Sequence, residues 1–84
     1  MGAIYVYGPI YTVCAYMEDH GEFGYDNFKG ERALSEASDH FGRLKCRPDA
    51  YEIWMTRLDG DEWVFVERIR RDSEGKWQRI DASI

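Results

Sequence analysis

The spacing of apolar positions changes character along this chain, and each change marks an element. Ala3–Met17 is rich in Tyr, Val and Ile. Aromatic and β-branched enrichment of that kind predicts strand. Pro9, in the middle, has no N–H and must sit at a bulge, an edge or a turn. The segment therefore reads either as one long bent strand or as a short strand followed by a second at Tyr11–Met17. Glu18-Asp19-His20-Gly21 has the composition of a turn. Glu22–Phe28 alternates weakly, with Phe23, Tyr25 and Phe28 as its aromatics, and reads as a poorer strand or an ordered loop.

At Gly30–Phe41 the period becomes helical. Ala33, Leu34, Ala37 and Phe41 fall on one stripe, which faces a sheet. Glu31 near its start and Arg43 and Lys45 near its end suit the helix dipole. Gly42 has the position of a C′ residue. A helix of about three turns needs tertiary packing to persist. Leu44–Ala50 reads as a connector, with Pro48 closing off any helical extension. Three strands follow, at Tyr51–Leu58, Glu62–Arg70 and Lys76–Asp81. They are joined by the hairpin signal Asp59-Gly60 and the turn Asp72-Ser73-Glu74-Gly75. The order is β(β)αβββ. The predicted fold class is α+β: an antiparallel sheet of four to five strands with one helix packed on one face.

Because side chains alternate between faces, the register of the central hairpin decides what stays uncovered. A two-residue Asp59-Gly60 loop places Ile53, Met55, Val64 and Val66 together against the stripe Leu34/Ala37/Phe41. The other face then shows Trp54, Thr56, Trp63 and Phe65, flanked by Glu52 and Glu67. A three-residue Asp59-Gly60-Asp61 loop instead sends Trp63 and Phe65 into the core with Ile53 and Met55. In the first register, an uncovered patch of two Trp and one Phe is of the kind that marks an interaction site.

Composition narrows the class. Eighty-four residues allow one domain, and a chain of this length buries roughly 60% of its unfolded surface, so the core is thin. A hydrophobic fraction of 44% is too high for a disordered chain. The first residues lack a basic n-region, and Gly8-Pro9 interrupts their apolar run, so no signal peptide is read. No stretch reaches the length of a spanning helix. The expected compartment is the cytoplasm, where Cys14 and Cys46 stay reduced, with a disulfide between them as the alternative. Net charge is −5, unevenly placed: residues 1–42 hold two basic and seven acidic side chains, whereas residues 43–84 hold nine of each. That balance disfavours direct nucleic-acid binding, which needs a net basic footprint. It permits docking on a basic partner.

Catalytic signals are missing. His20 sits in an acidic turn with no second His or Cys at ligand spacing. His40, beside Asp39 and near Ser35 and Ser38, cannot form a triad, because adjacent helical residues point apart. No P-loop, GxGxxG, HExxH or nucleophile elbow occurs, and no cofactor or metal is called for. Two charge groups remain. The acidic set is Glu18, Asp19, Glu22 and Asp26, continued by Glu31, Glu36 and Asp39. The basic set, around the last hairpin, is Arg68, Arg70, Arg71, Lys76 and Arg79.

Ala33-Leu34-Ser35-Glu36-Ala37, Tyr51–Leu58, Glu62-Trp63-Val64-Phe65-Val66-Glu67 and Asp72-Ser73-Glu74-Gly75-Lys76-Trp77 together resemble the helix and terminal hairpins of small phage-encoded anti-CRISPR proteins, over roughly residues 30–80. The resemblance implies a non-enzymatic inhibitor that docks on a type I CRISPR surveillance complex, a Cascade-like ribonucleoprotein, and blocks target DNA. It implies contacts through the acidic set, above all Glu18, Asp19, Glu22, Asp26, Glu36 and Asp39, with Trp54, Trp63 and Phe65 as an anchor. Arg68, Arg70, Arg71 and Arg79 form a second contact set. The runner-up is an immunity- or antitoxin-like module that neutralises a basic partner. A direct nucleic-acid binder using the arginines and Trp77 comes third, and an enzyme last. An exposed edge strand also leaves monomer and dimer both open.

Overall fold

The computed structural model describes residues 10–17 and 22–80. The reading of a strand before Ile10 and of a turn at Glu18–Gly21 falls outside them. The elements are β1 (Ile10–Met17), β2 (Glu22–Lys29), α1 (Ala33–Lys45), β3 (Ala50–Asp59), β4 (Glu62–Arg71) and β5 (Trp77–Arg79). They form an α+β fold, with one five-stranded sheet in the order β2-β1-β3-β4-β5 and every neighbouring pair antiparallel. β2 and β3 both flank β1, so α1 carries the chain across β1 from one to the other.

The weakly alternating segment is a full strand. It pairs with β1 along its whole length, from Ile10 opposite Lys29 to Met17 opposite Glu22. Tertiary pairing supplies what its Gly- and Asp-containing sequence does not.

The helix is longer and rotated relative to the expected one. It starts at Ala33 and continues to Lys45, so Gly42 lies inside it rather than at its C′ position. A helical glycine costs about 1 kcal/mol against alanine. Burial of Leu44 in the following turn offsets that cost. The stripe is Ala33, Ala37, Phe41 and Leu44, spaced four, four and three residues apart. Leu34, expected in the stripe, is 49% exposed. The small Ala33 and Ala37, both fully buried, let the helix axis approach the sheet. Arg32 provides no side-chain cap, and Gly30, at φ 97°, makes the sharp entry.

One core lies between helix and sheet: Tyr11, Val13 and Ala15 of β1, Ile53 and Met55 of β3, Ile69 of β4, and the helix stripe. Directly opposed residues share a face. Val13 opposes Met55, Ala15 opposes Ile53, and Ile53 opposes Ile69. These pairs define the covered face.

The β3–β4 register differs from both expected ones. The loop is Gly60-Asp61, with Asp59 opposite Glu62. Gly60 has φ 69° and Asp61 a negative φ, the pattern of a type II′ turn with glycine first. A bulge then leaves Val66 unpaired between Phe65 opposite Thr56 and Glu67 opposite Met55. Two corrections follow. Val64 and Val66 do not join the core: Val64 is half-buried and Val66 is 38% exposed. Glu67 flanks the covered face, not the open one. The last strand starts at Trp77 rather than Lys76, because Asp72 holds the turn by accepting bonds from the Glu74 and Lys76 amides at 2.8 and 2.9 Å, and Asp81 of the expected strand lies outside the described residues. Gly75 closes that turn at φ 83°.

Candidate functional site

Alternation that sends Ile53 and Met55 under the helix sends Glu52, Trp54, Thr56 and Leu58 to the opposite face. Three rows cross the sheet there. One is Tyr25, Cys14, Trp54 and Arg68. A second is Asn27, Thr12, Thr56 and Phe65. The third is Tyr16, Glu52, Arg70 and Gln78. Trp63, opposite Leu58, completes the aromatic group. Among the described residues no helix lies over this face, because α1 packs on the other.

Trp63 is 50% and Phe65 44% exposed, while Trp54 is half-buried. The Arg68 guanidinium lies between rings, 5.6 Å from the centroid of Phe65 and 6.0 Å from that of Trp54. Cation–π attraction at such distances orients both partners. Arg68 is anchored beneath by Glu52, whose two carboxylate oxygens accept from Arg68 Nε at 2.7 Å and Arg70 Nε at 3.1 Å. Glu52 is buried, and two charge-assisted bonds satisfy it. The result is a pre-set surface: a buried carboxylate holds two arginines, and one arginine holds two aromatic rings. Thr12 Oγ1 donates to Asn27 Oδ1 at 2.6 Å and fixes the far row. Burial pushes the Cys14 thiol above its ordinary pKa.

The sheet separates the residues that were expected to act together. Trp54, Trp63, Phe65, Arg68 and Arg70 share the open face. Asp26 lies on the covered side, opposite Val13, and its carboxylate meets His40 Nε2 at 3.0 Å. Glu36 and Asp39 are exposed on the helix. Of the acidic set, Asp26, Glu36 and Asp39 thus lie on the layer opposite the aromatic anchor. Glu22 is placed by its backbone alone, opposite Met17, and Glu18 and Asp19 lie outside the described residues. Among the described strand residues, Glu52 is the one carboxylate on the open face.

The basic set divides as well. Arg71 has the opposite orientation to Arg68 and Arg70, and its donors are consumed within the fold. Its Nε donates to the Ala50 carbonyl at 2.7 Å, Nη1 to that of Gly75 at 3.0 Å and Nη2 to that of Arg47 at 2.8 Å. Its guanidinium stacks 4.1 Å from the Trp77 ring, whose Nε1 donates to the Lys45 carbonyl at 3.2 Å. Arg71 is a clamp joining β4, β5 and the end of the helix. Arg79, opposite Ile69, also leaves the open face. Sequence reasoning missed the clamp and the Glu52 fork. The only available signal was the Arg68/Arg70 spacing, which acquires meaning once Glu52 is known to lie opposite Arg70.

A cleft of about 700 Å³ opens beside Tyr16, Tyr51, Arg71 and Asp72. Its Arg71 and Asp72 side chains are already bonded within the chain. Asp72 is held below the usual carboxylate range by the Lys76 amide and further donors, and burial raises the Tyr51 hydroxyl. Among the described residues no group of three His, Cys, Asp or Glu side chains is placed to hold a metal ion, and no helix is long and apolar enough to cross a membrane. Comparison with protein-family models, curated proteins and solved structures finds no match.

Proposed function

We propose that this protein acts by binding rather than catalysis, and that the open sheet face is its docking surface. The observation that carries the reading is the pair Trp63 and Phe65, half-exposed beside an Arg68 already fixed by Glu52. Exposed aromatics around a positioned arginine match the composition of binding hot spots. Prior ordering of those side chains reduces the entropy lost on docking. The partner supported by the resemblance of the helix and terminal hairpins is a type I CRISPR surveillance complex, whose target-DNA binding the protein would block.

A second reading is supported by the opposite layer, where Glu36 and Asp39 are exposed. There an immunity- or antitoxin-like module would meet a basic partner through its helix.

The test is gel filtration of the purified protein with type I surveillance complexes, followed by a mobility shift with target DNA. Co-elution with loss of DNA binding supports the inhibitor reading. Trp63→Ala and Phe65→Ala should then abolish co-elution, whereas charge reversal at Glu36 and Asp39 should leave it intact. The reverse pattern would move the docking surface to the helix. Failure to co-elute with every tested subtype removes the surveillance complex as the partner.

A further inference from the structure

β5 pairs with Ile69 to Arg71 of β4, and the Ile80 amide extends the ladder to the Arg68 carbonyl at 2.8 Å. Among the described residues, no strand lies along the outer edge of β4 from Glu62 to Val66. Unpaired edges offer a row of N–H and C=O groups to another chain, and proteins usually blunt them with charges. The opposite edge follows that rule: β2 carries Glu22, Asp26 and Lys29. The β4 edge does not. Between Glu62 and Glu67 it reads Trp-Val-Phe-Val, and Trp63, Phe65 and Val66 are among the exposed large hydrophobic side chains.

We propose that this edge pairs antiparallel with the same segment of a second copy, about a two-fold axis at Val64. The inference goes beyond the docking reading and does not require it.

The register follows from geometry. Residues opposed across an antiparallel pair must point to the same face. By their β3 partners, Glu62 and Val64 point to the covered side, and Trp63 and Phe65 to the open side. A two-fold normal to the sheet must therefore pass through a residue, not between two. The bulge at Val66 ends the regular alternation. Centring on Val64 uses the whole regular stretch. It sets Trp63 against Phe65 of the second copy, twice, sets Val64 against its own counterpart, and places Glu62 opposite Val66. Within Glu62–Val66 no two like charges are directly opposed. The segment matches itself in face and in chemistry, which is what an isologous contact requires.

Such a contact joins two five-stranded sheets into one. Both helices lie on one side, and the two aromatic groups meet on the other. Its exposed side chains supply less than the roughly 1,200–2,000 Å² of a standard interface, so the dimer is weak and reversible. Each copy carries a net charge of −5, so added salt should tighten the association.

Sedimentation equilibrium of the protein alone, over a wide concentration range and at two salt concentrations, is the first test. A monomer–dimer equilibrium that strengthens with salt and disappears in Phe65→Lys, with circular dichroism unchanged, is the expected result. In a Cys14→Ser/Cys46→Ser background, Val64→Cys should oxidise to a covalent dimer and Glu67→Cys should not. A protein that remains monomeric at every concentration overturns the proposal. So does a dimer indifferent to Phe65→Lys, or cross-linking that fails at position 64. Because no partner is present, these outcomes are independent of the co-elution experiment.

Discussion

The two faces of the sheet are built from the same strands, yet they answer to different physics. At the centre of the covered face the positions are filled by packing: Ile53 and Val13 are essentially inaccessible, and the alanines of the helix set the spacing. On the open face order comes from polar geometry. Glu52 fixes Arg68 and Arg70, and Arg68 fixes two rings. The first face stabilises the fold. The second holds exposed groups in place with less contribution from burial, which is what the proposed docking would use. Stability and the proposed docking are therefore separable by substitution.

The largest break in that comparison should come from Ile53→Ala. Deleting a fully buried branched side chain costs about 2–5 kcal/mol, a large part of what a domain of this size has, and chemical denaturation will show a much lower midpoint. Glu52→Ala should cost less, about 1–3 kcal/mol, because Arg68 and Arg70 can turn toward water. Its greater effect should be on docking, since Arg68 then loses its anchor. Trp63→Ala should change stability by no more than about 1 kcal/mol while removing partner binding. Equal stability losses for Ile53→Ala and Trp63→Ala would mean that the open face is a second core.

Two smaller tests sharpen the picture. Asp72, depressed below the usual carboxylate range by its amide donors, stabilises the fold when ionised. Its contribution is present above the unfolded carboxylate value, near roughly 4, and is lost as pH falls through that value toward the lower folded one. The difference in melting temperature between the native protein and Asp72→Ala should therefore shrink on acidification. Finally, the exposed Cys46 should alkylate before Cys14, which is half-buried and has a raised pKa. Equal rates would mean that the open face around Cys14 is looser than its rows of contacts require.

The element order was legible from periodicity, because Ala33, Ala37 and Phe41 carry a helical spacing and Tyr51–Leu58 an alternating one. The positions of the ends were not. Gly42 looked like a terminus, yet Leu44 has a buried site two residues further on, and that contact is visible only in three dimensions. The hairpin register was equally hidden. Asp59-Gly60-Asp61 admits several loops, and the glycine settled in the first central position of the turn, six residues before the bulge at Val66 shifts the strand. Trp54, Trp63 and Phe65 still reached the open face. The charges were the least legible part: Asp26 and Phe65 have nothing in the sequence to place them on opposite sides of a sheet.

The strand order also has a kinetic consequence. β3 and β4 are joined by a two-residue turn and can zip locally. β1 must be inserted between β2 and β3, the latter about forty residues away along the chain. Loop closure of that length precedes any reward from the central strand. The hairpin bearing the apolar β4 edge therefore forms before the sheet around it is complete. At high concentration during refolding, strand-to-strand capture between chains competes with insertion of β1, and dilution should raise the yield of folded protein.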